Sequence, residues 1–137
     1  MGEQQPSDWE QVYTVNGFHD RPILGVADFG GAPHIYKAEW DSSTEEYGSF
    51  RLAKIDQSLL DLILEDWAIW LRWEVAFKNA QTPIETHPAL PADHRRHLEL
   101  KELIGDCWEV RAGGSFLKQA DFRGTFGEGI QVCWCDA

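Results

Sequence analysis

Two carboxylates set among tryptophans are the first residues of this chain that could do chemistry. The stretch from Leu59 to Phe77 reads LLDLILEDWAIWLRWEVAF. Turned as a helix, it lines up Asp61, Glu65 and Arg72 on one narrow polar stripe. Asp66 and Glu74 fall instead among Leu62, Ile63, Trp67, Trp70 and Trp73. A carboxylate on an apolar flank must find donors or shift its pKa upward. A shifted carboxylate can serve as a general acid or base. Their spacing corresponds to roughly 12 Å along the helix axis, too far for a simple acid–base pair on one small group. The structural alternative is that indole N–H groups, arginines or backbone amides satisfy them.

His34 and His87 join Asp66, Trp70 and Glu74 as candidates for a Trp-lined ligand pocket. His87 lies in Thr86-His87-Pro88, where a turn or capping role is the plainer account. His94 and His97 stand three apart on a second predicted helix that also carries Arg95, Arg96 and Lys101. Helical metal pairs more often use a spacing of four, so a salt-bridged face explains these histidines better. Cys133 and Cys135 would share one face of a strand, an awkward placement for a disulfide. With Cys107 and a histidine they could build a tetrahedral zinc site, but the paired Cys-x-x-Cys spacing is absent and free buried thiols are favoured. There is no P-loop, nucleophile elbow or zincin motif. No residue is therefore assigned a catalytic or metal-binding role, and no cofactor is expected.

The elements that must position these residues follow from pattern and composition. A 137-residue chain with 43% hydrophobic residues is long enough for a self-sufficient core. Residues 1–9 read as a flexible N-terminus and residues 10–137 as a single α+β domain. Strands are predicted over Glu10–Val15, Ile23–Phe29, His34–Trp40 and Ser49–Ile55. Gly30-Gly31-Ala32-Pro33 marks a hairpin loop between the second and third. On the third strand, the face carrying Tyr36, Ala38 and Trp40 is expected to be the core face. Asp56 should cap the long helix, which runs to about Asn79. Pro91 opens a second helix that ends near Ile104, before Gly105. Three more strands are predicted over Cys107–Arg111, Ser115–Arg123 and Gly129–Cys135. This order favours a curved antiparallel sheet, or a small partly open β-barrel, packed on a long Trp-rich helix and a shorter second one.

Charge narrows the partners. The chain has 12 basic and 23 acidic residues, a net charge of −11. Residues 1–69 hold 13 of the acids and 4 of the bases. Such a surface repels nucleic acid and anionic membranes. The charges within residues 59–77 forbid a lipid-facing span, and the N-terminus lacks the basic and apolar regions of a signal peptide. An odd, small number of cysteines fits a reducing cytoplasm.

The runs VADFGGAPHIY (Val26 to Tyr36), LEDWAIWLRWE (Leu64 to Glu74) and THPALP (Thr86 to Pro91) resemble a group of small bacterial proteins of unknown function. Those proteins carry a similar hydrophobic helix followed by a Thr-His-Pro segment. The likeness spans about residues 10–110 and implies a bacterial cytosolic origin. It brings with it no activity and no site residue.

These readings favour a non-enzymatic cytoplasmic domain that binds a protein partner, plausibly a basic one. Glu39, Asp41, Glu45 and Glu46 form the candidate partner-binding surface. An immunity or inhibitor protein is one concrete form, with an acidic patch blocking a basic active site. A small-ligand binder or enzyme using the Asp66–Glu74 pocket is the alternative. The apolar helix also leaves room for a homodimer.

Overall fold

The computed structural model describes residues 8–125 and 127–137. Most of the expected flexible N-terminus, residues 1–7, lies outside the described residues. The chain forms two compact units: a β unit made by residues up to Asp56 and from Cys107 onward, and a helical unit, Gln57–Asp106.

The β unit is a closed six-stranded antiparallel barrel. Its strands are β1 (Trp9–Phe18), β2 (Pro22–Phe29), β3 (Ala32–Asp41), β4 (Glu46–Lys54), β5 (Phe116–Thr125) and β6 (Gly129–Asp136). Each strand pairs with its neighbour in sequence, and β1 closes the ring by pairing with β6. The two joins that complete the ring are short. β4 meets β5, and β1 meets β6, at three paired positions each. Closure therefore goes further than the partly open barrel expected from sequence. The predicted strand over Cys107–Arg111 does not form; that stretch is turn and irregular chain. Six strands already complete the ring, so no sheet edge is left for a seventh.

The barrel is filled by aromatic side chains. Tyr36, Phe50, Phe122 and Trp134 have ring centroids between 5.7 and 6.3 Å apart in all six pairings. Ala27, Ala38, Leu52, Ala120 and Val132 complete the buried cluster. Small residues beside large ones let so many rings interdigitate in a narrow lumen. The buried Tyr36 hydroxyl donates to the Thr14 carbonyl at 2.8 Å, and burial raises its pKa above the ordinary tyrosine value. Thr14 is buried too. Its hydroxyl accepts from the Val26 amide at 3.0 Å and donates to Asn16 Oδ1 at 2.6 Å. The approach of Tyr36 to β1 needs a gap in β2, and Gly25 supplies it. A Cβ there would stand 2.6 Å from the Tyr36 hydroxyl and closer still to the Thr14 carbonyl.

The expected core face of β3 holds for Tyr36 and Ala38 but not for Trp40, which is 55% exposed. Ala38 pairs with Phe50, whereas Trp40 pairs with Tyr47, so β4 carries one extra residue in this interval. That bulge ends the regular alternation at the rim of the barrel. Ile35, on the opposite face, is buried as well.

The helical unit holds α1 (Gln57–Lys78) and α2 (His94–Ile104). A short 3-10 turn, Pro91–Asp93, leads into α2, and Gly105 ends it at φ 66°. Two ion pairs, Glu65–Arg96 and Arg72–Asp93, and an Asp66–His97 hydrogen bond join α1 to α2 and the turn before it. Glu65 and Asp66 meet Arg96 and His97, whereas Arg72, further along α1, meets the earlier Asp93, so the helices run antiparallel. Leu60, Ile63, Ile69, Trp73 and Ala76 of α1 are buried, as are Leu100 and Ile104 of α2. Trp73 donates its indole N–H to Thr86 Oγ1 at 2.8 Å, and the Thr86 hydroxyl lies 2.6 Å from the Pro83 carbonyl. Among the described residues, no helix is long and apolar enough to cross a membrane.

Two consequences can be measured by urea denaturation. Gly25→Ala should lower stability by about 1–3 kcal/mol through overpacking. Gly48→Ala, where a Cβ would meet nothing within 4 Å, should stay within about 0.5 kcal/mol. Arg96 meets Glu65 through two hydrogen bonds, of 2.6 and 2.8 Å, but both side chains are over 40% exposed. A Glu65→Ala/Arg96→Ala double-mutant cycle should therefore return a coupling below about 1 kcal/mol.

Candidate functional site

The β3–β4 hairpin concentrates several features that its own stability does not require. Its tip, residues 42–45, is four residues of turn. Asp41 and Glu46 sit directly opposite each other across the ladder. Like charges in that position repel. Glu45 closes the turn with φ 54°, a left-handed conformation that costs a non-glycine residue about 1 kcal/mol. Trp40 is mostly exposed beside them, its ring edge-to-face with Tyr47 at 5.1 Å.

The β1–β2 turn adjoins this tip. His19 meets Tyr47 edge-to-face at 5.7 Å, and Arg21 donates to the Gly48 carbonyl at 2.9 Å while its guanidinium lies over Phe50. Trp40, Tyr47 and His19 thus form a run of aromatic rings on the barrel rim, with carboxylates beside it. Local geometry fixes the charge on Asp41. Its Oδ1 accepts from the Ser43 hydroxyl at 2.6 Å and from the Ser43 amide at 2.9 Å. Those bonds, the hydroxyl first, hold its pKa below the ordinary carboxylate value.

Of the four acidic residues picked out from sequence, Asp41, Glu45 and Glu46 share this tip. Glu39 does not contribute a free charge, because Arg51 Nη2 donates to its Oε1 at 2.9 Å. Trp40 was missed as a surface residue, since strand alternation alone assigns it to the core.

The pocket candidates divide between the two units. His34 belongs to the barrel unit. It is buried between Phe29 and Phe116, and its Nδ1 donates to the Ala32 carbonyl at 2.8 Å. The other four lie in the helical unit, each with its own contact. Asp66 Oδ1 faces His97 Nδ1 at 2.7 Å. Glu74 pairs with Lys78 at 3.0 Å, one helical turn on. Trp70 stacks on Trp67 at 5.0 Å. His87 sets its ring edge-on against Trp73 at 4.6 Å. Asp66 and Glu74 therefore meet an imidazole and an ammonium, where the sequence offered indole N–H groups, arginines or backbone amides. The functional-looking Thr-His-Pro segment finds a structural use: Thr86 and His87 seat the interhelical connection on Trp73. Leu71, Val75, Leu98 and Leu103 remain exposed.

Among the described residues, no group of three or more His, Cys, Asp or Glu side chains is placed to hold a metal ion. No family model matches this chain, and no curated protein or solved structure matches it significantly.

Ser43→Ala should raise the Asp41 pKa toward its ordinary value, followed by the side-chain carboxyl chemical shift against pH. The sign follows from the depressed pKa in the folded chain. The stabilisation is present above the ordinary carboxylate value and is lost as the pH falls through the depressed one. In the Ser43→Ala variant that acid-side loss should shrink to the part that the Ser43 amide still supplies.

Proposed function

We propose that this chain is a non-enzymatic, cytoplasmic protein-interaction domain whose β3–β4 hairpin docks on a basic protein surface. One observation carries the reading: an exposed Trp40 stands at the rim of the barrel beside Asp41 and Glu46, which face each other as like charges. Tryptophan is enriched among the few side chains that dominate binding at protein interfaces. Local rules are broken most often where function needs it. A basic partner would relieve the Asp41–Glu46 repulsion on binding. The same charges would speed encounter and make association salt-dependent. A protein that neutralises a toxin, or inhibits an enzyme by covering a basic active site, is the concrete form that fits this chemistry.

The competing reading, a carboxylate site for a small ligand or an enzyme, has less support. Asp66 and Glu74 are engaged by different side chains, His97 and Lys78. Nothing in their geometry unites them in one site.

The test is affinity capture followed by measured binding. Wild-type protein should retain a basic partner from cell extract. Trp40→Ala, and separately the Glu45→Lys/Glu46→Lys pair, should weaken binding of the purified partner by at least about tenfold. The charge-reversed pair should also flatten the dependence of affinity on salt. Unchanged affinity in both variants would remove the hairpin from the interface.

A further inference from the structure

A groove of about 690 Å³ runs along the barrel wall beside the start of β1, the β2–β3 turn and the end of β6. It lies at the opposite end of the barrel from the acidic hairpin, because β3 runs the height of the wall between the two turns. Asp8, Glu10 and Asp28 line it, together with Trp9, Trp134 and the exposed Cys135; among the described residues no Lys, Arg or His does. Arg123, outside this lining, covers one face of Trp9 at 4.1 Å.

The site is held in shape by its own hydrogen bonds. Glu10 accepts from the Gly30 amide at 3.0 Å and the Gly31 amide at 2.7 Å. Both glycines have positive φ, 61° and 76°, so the turn presents both N–H groups to one carboxylate. Trp134 donates its indole N–H to the Asp28 carbonyl at 2.9 Å. The Tyr13 hydroxyl donates to Asp28 Oδ2 at 3.2 Å. Asp28 Oδ1 is buried and accepts no hydrogen bond among the described residues. A buried carboxylate oxygen without a donor is costly. Buried Cys133 reports the same negative field: burial first, and then Asp8, Cys135, Asp121 and Glu10, push its thiol pKa up.

We infer that this groove binds a small organic cation, a ligand with a primary ammonium or guanidinium head on a short aliphatic body. The head lies between the Asp28 and Glu10 carboxylates. Its charge offsets the uncompensated oxygen of Asp28. The body lies along the indole rings, where a cation also gains from the ring faces. The size of the groove suits a ligand of this class. The inference does not depend on the hairpin, which takes no part in the groove.

The probe is agmatine, with 1-pentanol as a neutral control of similar length. Agmatine should shift the amide resonances of Gly30 and Gly31 and the indole resonances of Trp9 and Trp134 in a saturable way. It should also slow maleimide alkylation of Cys135. Asp28→Asn should weaken binding by at least about tenfold. Where that variant does not fold, the wild-type protein decides alone. Cys135 protection by agmatine must then be lost at high salt, as screening of a charge-driven site requires. Absence of saturable shifts, equal shifts with 1-pentanol, full affinity in Asp28→Asn, or salt-insensitive protection would each overturn the inference.

Discussion

The hydroxyl of one buried tyrosine constrains the β unit. Tyr36 is fully buried, and its hydroxyl donates to the Thr14 carbonyl. That bond needs β1 to present a free carbonyl and β2 to leave a gap. The irregular register of β1 against β2 around Val12 and Thr14 meets the first need. The missing Cβ of Gly25 meets the second. Once Tyr36 is seated, Phe50, Phe122 and Trp134 pack around it, and the lumen becomes core. A barrel filled in this way offers its outside for recognition, which is where both the aromatic rim and the carboxylate groove lie.

The helical unit solves a different problem. A helix as apolar as α1 must still accommodate five charged residues between Asp61 and Glu74. Arg96 and His97 on α2 take Glu65 and Asp66, and Arg72 turns to Asp93 at the entrance of α2. These pairs are partly exposed and add little stability singly. Their value is in register, because each fixes which residue of one helix faces which residue of the other. Thr86 does the same for the connection by accepting the Trp73 indole.

Local chemistry made much of this legible in the sequence. The long helix, the stop at Gly105, the first four strands and the Gly30-Gly31 turn follow from periodicity and backbone preference. The hairpin is tighter than expected, because Phe29 pairs with Ala32 and only the two glycines form the turn. What could not be read depends on distant segments meeting. Strand alternation cannot foresee the extra residue in β4 that leaves Trp40 outside. Composition cannot reveal that Cys107–Arg111 lacks a strand to pair with. The Asp66–His97 pair spans 31 residues and the Trp134–Asp28 bond spans 106, so neither leaves a local signal. Of the candidate sites, the acidic tip was readable because its charges are close in sequence. The groove draws on separate segments of β1, β2, the following turn and β6, and was not.

The two short joins of the barrel bear on how the chain is made. Strands β1 to β4 follow one another through tight turns and can pair as they emerge from synthesis. Contacts across the β4–β5 join bridge 64 residues between Arg51 and Ser115 and 70 between Ser49 and Gln119. Until β5 and β6 arrive, the four-stranded sheet exposes both β1 and β4 as unpaired edges, the kind of surface through which chains associate. The gap takes a self-contained hairpin through three paired positions on each side. Closure of the barrel therefore waits on the last hairpin to be made, and until it arrives the two open edges are the chain's most exposed backbone.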